Sequence, residues 1–478
     1  MKPDKRVDWA AVVILFVVGL AARIVFARGF DGLYGQDAYA YFNAASQLFT
    51  GAPFSPFYWG IGYPALLMIA FALLGVSAWT AQAITIVCGA LIAPVMYGLA
   101  RELKQDRSGA FFAGLLIVIG AQSIQSSIVV MSDIPAILWA VLSAYCLVRY
   151  AKGNRTAWLI GAASFLAFAG ITRWLAFALV PVWAIFILLS GRRIMLRDSV
   201  FAFIAAGLII VPQIAFAALH PTPVIDHAWV QGWSLENAFR KDFINVDGEF
   251  HFAVINARFY AAPLSDPVYL SPLLLPLILF GIWRTRQDRA ALVLNIGWWI
   301  VPFVFLIGIP YQNIRFSLLN LPPAALLIGA GFSALMHTPA RVIRIGTVIG
   351  AAIGLMLMIG TANEYVGTFV ERQQADRAVI TWAANNIPGD VTIYTMGLTL
   401  PLRMAHPGEV RELYYETDET LTAVAARHEP AYLLINLWQI EHQWQGRAPA
   451  LAVEWLRRER GISRIGQNGY YSLYWIAP

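Results

Sequence analysis

The sequence predicts a polytopic α-helical membrane protein of about eleven transmembrane helices, with an extracytoplasmic α/β domain after the last of them. Three observations lead to this fold class. Hydrophobic residues make up 59% and charged residues only 13% of the 478 residues, about half the charged fraction of an ordinary soluble domain. The apolar residues fall in runs close to the roughly 20 residues that cross a hydrocarbon core as a helix. Trp and Tyr lie at the edges of these runs, as membrane interfaces favour.

Each apolar run is assigned a helix because lipid offers no hydrogen-bond partner to an open backbone. The first run, 9–28, follows a basic N-terminus, and its length favours an uncleaved span over a signal peptide. The later predicted spans are 78–100, 108–127, 133–150, 156–172, 174–190, 199–219, 268–283, 290–309, 316–336 and 345–363.

One further apolar stretch, Ile61–Val76, is excluded from the spans by the distribution of basic residues. Without it, loops on one side hold half of the 34 Lys and Arg residues, and the loop 29–77 on the other side holds none. Cytoplasmic loops are the ones enriched in Lys and Arg. The stretch is therefore predicted to be a re-entrant or interfacial helix. The N-terminus is predicted to be cytoplasmic in the plasma (inner) membrane, and loops 29–77 and 220–267 extracytoplasmic.

Residues 364–478 carry more charge and shorter apolar runs than residues 1–363, and are predicted to form an extracytoplasmic α/β domain. An amphipathic helix near 369–386 precedes a Pro-Gly turn. Hydrophobic periodicity then predicts strands at 391–394, 410–414, 432–436 and 470–476, and helices at 418–428 and 448–460. No glycine-rich phosphate loop opens these helices, so no cofactor is assigned to the domain.

Four charged residues near predicted span ends are the main functional candidates: Asp37, Asp133, Arg173 and Arg315. Three of them have an ordinary explanation: Asp37 and Asp133 could be helix N-terminal acids, and Arg173 could reach lipid headgroups. Together, however, the four residues place two carboxylates and two guanidiniums at one membrane face. A carboxylate can act as a general base, and arginines can hold a phosphate leaving group.

Further candidates lie in the two long extracytoplasmic loops. Tyr39, Tyr58 and Trp59 could bind a sugar with their aromatic faces, and Arg258 could help to hold a phosphate. The His and acidic residues of loop 220–267 leave a divalent cation open as a cofactor, although their spacing matches no compact ligand motif. No metal-binding residue is assigned.

The basic residues lie in short loops between apolar runs, which is an orientation signal and not a nucleic-acid interface. The expected partners are a polyprenyl-phosphate sugar donor, an acceptor lipid, glycan or protein, and membrane lipids. A lipid-linked sugar flippase is an alternative to an enzyme that uses such a donor. A flippase would be expected to have acidic residues or broken helices near the bilayer midplane. A non-catalytic membrane scaffold is a second alternative.

The chain resembles the GT-C glycosyltransferases, in particular the branch of protein O-mannosyltransferases and aminoarabinose–lipid A transferases. The likeness is strongest over residues 1–190. It is carried by an acid before an aromatic-rich helix, a Gly-Tyr-Pro segment, a Ser-Asp-x-Pro span start, a Thr-Arg junction and an Arg-Phe segment before Pro-Pro. These motifs are residues 36–42, 62–64, 132–135, 172–173 and 315–323.

The resemblance implies that residues 1–363 are a catalytic module that transfers a sugar from a polyprenyl-phosphate donor with inversion at the anomeric carbon. Asp37 then matches the first-loop acid that acts as base or orients the acceptor, and Asp133 matches a second acid near the site. Arg173 and Arg315 match positions near the donor phosphate. Two features depart from the family pattern: Asp37 has no second acid beside it, and loop 29–77 contains no basic residue.

Overall fold

The computed structural model describes residues 5–54, 57, 59–153, 155–191, 195–219 and 228–478. Up to Asn386 the described chain is mainly helical. The helices are α1 (Lys5–Phe26), α2 (Gly35–Thr50), α3 (Gly62–Leu74), α4 (Ala78–Glu102), α5 (Arg107–Ile119), α6 (Ala121–Ile128), α7 (Asp133–Gly153), α8 (Thr156–Thr172), α9 (Val180–Leu189), α10 (Leu196–Leu219), α11 (Ala228–Gln231), α12 (Asn256–Tyr260), α13 (Leu275–Thr285), α14 (Arg289–Gly308), α15 (Leu321–Met336) and α16 (Arg341–Asn386). Two 3-10 helices, Trp174–Leu179 and Ile314–Asn320, precede α9 and α15.

Seven helical segments in the described part of the chain are long and apolar enough to cross a membrane. They are α1 without its first residue, α4, α7, α10, α14, α16 and the segment Ile314–Met336, which contains α15. The other predicted spans correspond to the pair α5–α6 and to the shorter apolar helices Thr156–Thr172, Trp174–Leu189 and Pro272–Thr285. The predicted helical membrane fold is therefore confirmed, and the number eleven stays a prediction.

The predicted span 108–127 is not one straight helix. The axes of α5 and α6 differ by 55°, and Gly120 between them has an extended backbone with φ −60° and ψ 122°. The Gln122 N–H donates to the Val268 carbonyl at 2.9 Å instead of to α5. A glycine inside an apolar run does not by itself end a helix, so the hydrophobic pattern did not reveal this break.

The helices differ strongly in how much of their apolar surface other helices cover. Within the most apolar window of each segment, α4, α7 and Ile314–Met336 have 67%, 72% and 78% of their residues buried, whereas α1, α10 and α16 have 17%, 11% and 17%. The first three therefore form the centre of the bundle. Small residues allow the close approach of helices there: at Gly109 and Gly329, an added Cβ would meet the carbonyl of the other residue.

The loop predicted for residues 29–77 contains two helices that pack on each other. α3 has 13 residues, a length of about 20 Å, which is too short to cross a hydrocarbon core of about 30 Å. Tyr41 of α2 contacts the rings of Phe57, Trp59 and Tyr63 at centroid distances of 5.5, 5.5 and 5.3 Å. This aromatic cluster fixes α2 against α3.

The C-terminal part is an α/β domain with a mixed five-stranded sheet, as predicted. The strands are β3 (Thr392–Thr395), β4 (Val410–Glu412), β5 (Ala431–Asn436), β6 (Ile462–Asn468) and β7 (Tyr471–Ile476), and the helices are α17 (Thr399–Ala405), α18 (Asp418–Ala425), α19 (Leu437–His442) and α20 (Ala448–Glu459). The strand order is β4-β3-β5-β7-β6, in which β3 is parallel to β4 and β5, and β7 is antiparallel to β5 and β6.

Two strand elements lay outside the predictions. β6 is an edge strand with mostly exposed or half-exposed residues, so it lacks the apolar alternation by which strands are recognised. An antiparallel hairpin in loop 220–267, formed by β1 (Asp242–Asn245) and β2 (Gly248–His251), has only four residues in each strand. Both are too polar or too short to be predicted from hydrophobic periodicity.

Helix α16 joins the two parts without interruption. Its 46 residues extend over about 69 Å, and the amphipathic segment predicted near 369–386 is its second half. The predicted domain boundary between residues 363 and 364 falls within this helix and stays a prediction. The C-terminal domain is therefore attached to the bundle by a helix, with no irregular linker at this point.

Candidate active site

The four charged residues singled out in the sequence lie together as two neighbouring ion pairs. Arg315 Nη2 is 2.5 Å from Asp37 Oδ2, and Arg173 Nη1 is 3.1 Å from Asp133 Oδ1. Both guanidiniums also lie over the ring of Phe316, at 5.7 and 4.9 Å from its centroid. Residues separated by up to 278 positions in the sequence thus form one cluster.

Helix boundaries position these side chains. Asp37 lies in the first turn of α2, and Asp133 is the first residue of α7, where the helix dipole favours a carboxylate. Arg173 is the extended residue between α8 and the following 3-10 helix. Arg315 is near the start of the 3-10 helix Ile314–Asn320, whose first turn is capped by the Asn313 side chain accepting from the Arg315 N–H. All four therefore project from helix ends toward one place.

A cavity of about 340 Å³ opens beside the cluster. Asp37, Asp133 and Arg315 line it, together with polar side chains of α6 and the first turn of α2. A second, much smaller cavity is lined by Asp133, Arg173 and Arg315. A larger cavity of about 710 Å³, between the β1–β2 hairpin and Arg447, contains none of the four charged residues. The chemistry of the lining residues therefore favours the 340 Å³ cavity as the active site.

Two polar atoms of the cluster have no hydrogen-bond partner among the described residues: Asp133 Oδ2 and Arg315 Nε. The Asp133 side chain is only 3% exposed. A buried polar group without a partner costs about 1–3 kcal/mol, so these atoms are suited to contacts with a bound ligand. Arg315 Nη1 meanwhile donates to Met131 Sδ at 3.0 Å, a weak acceptor that a phosphate oxygen could replace.

The remaining predicted site residues lie elsewhere. Tyr39 is buried on α2, Trp59 packs in the aromatic cluster with Tyr41, and Arg258 is exposed on α12. None of the three lines the 340 Å³ cavity. Tyr58 lies outside the described residues. The binding roles of these four residues stay predictions.

The sequence left open whether a divalent cation binds in loop 220–267. Among the described residues, no group of three or more His, Cys, Asp and Glu side chains could hold a metal ion. Three candidates of loop 220–267, His220, Asp226 and His227, lie outside the described residues. His251 forms contacts with Asp242 and Glu249 at 3.0 and 3.4 Å on the hairpin.

A contact from the C-terminal domain reaches the residue next to Asp37. Gln36 Nε2 donates to Glu412 Oε2 at 2.8 Å, and the Leu400 N–H donates to Gln36 Oε1 at 3.3 Å. Glu412 also accepts from Thr399 Oγ1 at 2.6 Å, and burial raises the pKa of its carboxyl above the ordinary value of 4.5. No sequence signal pointed to this contact, because the two residues are 376 positions apart.

Solved structures of GT-C membrane glycosyltransferases have the same overall fold as this chain. Residues 62–221, a third of the chain, match the family model of the dolichyl-phosphate-mannose-protein mannosyltransferases. The resemblance expected from the sequence is thereby confirmed, and the protein is a multi-pass membrane protein.

Solved structures with the same fold are similar over most of the chain. ArnT from Cupriavidus metallidurans, bound to undecaprenyl phosphate, is 14% identical with a TM-score of 0.67, and the match covers 97% of each chain. The archaeal oligosaccharyltransferase AglB from Archaeoglobus fulgidus, in complex with an inhibitory peptide and a dolichol-phosphate, is 13% identical with a TM-score of 0.60 over 92% of this chain and 70% of that chain. No curated protein sequence matches significantly.

The arabinofuranosyltransferase AftD from Mycobacteria is similar over the whole chain. It is 13% identical with a TM-score of 0.55, and the match covers 100% of this chain and 40% of AftD. At these identities the structural matches establish the fold alone.

Proposed function

We propose that the protein is a membrane glycosyltransferase that moves a sugar from a polyprenyl-phosphate carrier to an acceptor at the extracytoplasmic face. The observation that carries this proposal is the convergence of the Asp37–Arg315 and Asp133–Arg173 ion pairs beside one cavity. Two proteins of the same fold have been solved with undecaprenyl phosphate and a dolichol-phosphate bound, which supports a lipid phosphate as the ligand.

The arginines are assigned to the donor phosphate. In the transfer, an acceptor hydroxyl oxygen attacks the anomeric carbon, and the bond from that carbon to the phosphate oxygen breaks. The electron pair stays on the phosphate, which gains a negative charge. Arg173 and Arg315 are always charged, and preorganised cations stabilise charge that develops on a leaving group. Attack opposite the leaving phosphate in one displacement inverts the anomeric centre.

Asp37 is assigned as the base that takes the acceptor proton. In the absence of donor, one oxygen of the Asp37 carboxylate is occupied by the hydrogen bond from the Arg315 guanidinium. A donor phosphate competes for the same guanidinium, so its arrival would release Asp37 at the moment when a base is needed. Donor binding and activation of the base are thereby linked.

The test of the proposal is a transfer assay with the purified full-length protein in liposomes. Labelled undecaprenyl-phosphate hexoses and pentoses are supplied with candidate lipid, glycan and protein acceptors. We expect the label to move to one acceptor class with release of undecaprenyl phosphate. No cleavage of any carrier–sugar bond across the panel would contradict the proposal.

A lipid-linked sugar flippase is kept as a second candidate because of the break between α5 and α6. Discontinuous helices are typical of transporter sites. The same liposomes separate the two functions: a flippase would move the intact labelled carrier between leaflets without cleaving it, whereas a transferase yields free undecaprenyl phosphate.

The proposed orientation predicts opposite labelling of two introduced cysteines. Tyr470, 84% exposed in the C-terminal domain, and Gln287, exposed between α13 and α14, are each replaced by cysteine. We expect a membrane-impermeant maleimide to label Tyr470→Cys in intact cells, and Gln287→Cys only after permeabilisation. The native Cys88 and Cys146 are buried and give low background. Labelling of Gln287→Cys in intact cells would contradict the orientation.

A further inference from the structure

Helix α6 presents polar side chains on two of its three faces, inside a bundle of apolar helices. Its sequence, Ala-Gln-Ser-Ile-Gln-Ser-Ser-Ile, places positions three and four apart on one side. Ala121, Ile124 and Ile128 are buried in the apolar cluster that contains Tyr41 and Tyr63. The remaining residues, Gln122, Ser123, Gln125, Ser126 and Ser127, are hydrophilic. Polar groups are rare at such places unless they have a function.

The first polar face binds a fully buried arginine. Arg23 of α1 is 0% exposed, and its guanidinium donates to Ser127 Oγ at 2.9 Å and to Ser123 Oγ at 3.1 Å. It also donates to the carbonyls of Ile117, at 3.4 Å, and Gly19, at 3.0 Å. Among the residues that the structure describes, Arg23 has no acidic partner. A buried charge is costly unless it is hydrogen-bonded, and here its bonds hold both sides of the α5–α6 break.

The space for this arginine is provided by a glycine of α4. A Cβ at Gly89 would lie 2.6 Å from Arg23 Nε and 2.2 Å from Ser127 Oγ, closer than real contacts allow. The positions of α1, α4 and α6 are therefore fitted around one guanidinium. This arrangement fixes the rotation of α6 about its axis.

The second polar face lines the 340 Å³ cavity with Gln122, Gln125 and Ser126. Gln122 Nε2 donates to Gln125 Oε1 at 2.7 Å and to Ser126 Oγ at 2.9 Å, and Gln122 Oε1 accepts from the Tyr365 hydroxyl at 2.8 Å. Gln122 thus orients its two neighbours. Among the residues that the structure describes, the amide N–H groups of Gln125 and the hydroxyl hydrogen of Ser126 have no acceptor in this network, and they are donors at the cavity wall.

We propose that α6 is the wall that recognises the hydroxyl groups of the transferred sugar, with Gln125 and Ser126 as the direct contacts and Arg23 as the positioning residue. This rests on the proposed function, because the sugar is the part of the donor next to the phosphate held by Arg315. Uncharged amides and hydroxyls match the donors and acceptors of a sugar ring. A volume of about 340 Å³ is at the lower end for ligand sites and suits a single sugar.

The test compares two carriers that differ only in the sugar. Binding of undecaprenyl phosphate and of undecaprenyl-phosphate hexoses and pentoses is measured for the full-length protein and for Gln125→Ala/Ser126→Ala. We expect the variant to bind the sugar-bearing carrier that the wild type prefers about 10- to 30-fold more weakly, and undecaprenyl phosphate within about twofold. Gln287→Ala is the matched control, because Gln287 is exposed and does not line this cavity.

Two outcomes would overturn the role of α6: an unchanged preference for the sugar-bearing carrier, or an equal loss for both carriers. Either can occur in a protein that still transfers sugar, and the proposed function then stands. Failure of the wild type to cleave any carrier would instead remove the proposed function itself.

The positioning role of Arg23 is tested with Arg23→Met and Arg23→Lys. We expect Arg23→Met to lose the preference for the sugar-bearing carrier while it still binds undecaprenyl phosphate, and Arg23→Lys to recover part of that preference. If Arg23→Met does not fold, Ser123→Ala/Ser127→Ala removes two of the partners and leaves the arginine in place. A folded variant that keeps the full preference would exclude Arg23 from positioning the wall.

Discussion

Asp37→Asn is expected to reduce the rate of sugar transfer by about a thousandfold, whereas the lipid-phosphate donor should bind as tightly as in wild type or more tightly, because a neutral amide competes less for Arg315. An amide has the shape of the carboxyl group and can still accept a hydrogen bond from Arg315, but it cannot take the acceptor proton. General base catalysis contributes about 10²–10⁴ in rate. The initial rate of transfer from a labelled undecaprenyl-phosphate sugar, measured beside donor binding, gives both quantities.

Asp31→Asn is the matched control for this experiment. Asp31 lies in the same segment and also pairs with an arginine, Arg377, but it does not line the 340 Å³ cavity. We expect its transfer rate to stay within about threefold of wild type. If folded and inserted Asp37→Asn transferred sugar as fast as wild type, the assignment of Asp37 as the base would be wrong.

Arg173→Ala is expected to have the second largest effect, on both donor use and stability. Removal of the guanidinium leaves the Asp133 carboxylate, whose side chain is 3% exposed, without its cation. Loss of one partner of a buried ion pair costs about 3–5 kcal/mol of unfolding free energy. Loss of a charged hydrogen bond to phosphate should raise the KM for the donor by about 10- to 100-fold. Thermal unfolding in detergent and donor titrations measure the two effects.

The double variant Arg173→Ala/Asp133→Asn separates these effects. Neutralising the Asp133 carboxylate, which has lost its arginine partner, should restore much of the unfolding free energy. The KM for the donor should remain high. Arg149→Ala is a control, because its ion pair with Glu102 is partly exposed, and exposed pairs contribute little. An unchanged KM in a folded Arg173→Ala protein would remove Arg173 from the donor site.

Much of the fold was predictable because membrane helices and buried strands carry strong hydrophobic signals. Predicted spans such as 78–100 and 133–150 begin where α4 and α7 begin, and the strand predicted at 432–436 begins one residue after the first residue of β5. The enrichment of Lys and Arg in cytoplasmic loops also predicted that Asp37, Asp133, Arg173 and Arg315 share one side of the membrane. Topology alone predicts the side of the membrane on which a residue lies, but not its distance from other residues.

The pairing within the site could not be predicted. Which arginine lies beside which acid depends on how α2, α7 and the segment Ile314–Asn320 meet in space, and local sequence does not encode such distances. Arg23 was a different case: a charged residue inside the predicted span 9–28 is itself a functional signal, and it was not among the predicted site residues. The direction in which the side chains of α6 point could not be predicted either. The extended backbone at Gly120 separates α6 from α5, so the helical periodicity of α5 does not continue into α6.

Helix α16 has a consequence for the contact between Gln36 and Glu412. A few hydrogen bonds of this kind, worth about 1 kcal/mol each, could not hold two separate proteins together against the entropy of association. The continuous helix keeps the C-terminal domain beside α2 and so supplies a high effective concentration. Cutting the chain within α16 would turn a persistent intramolecular contact into a weak bimolecular encounter, and the neighbour of Asp37 would lose its partner.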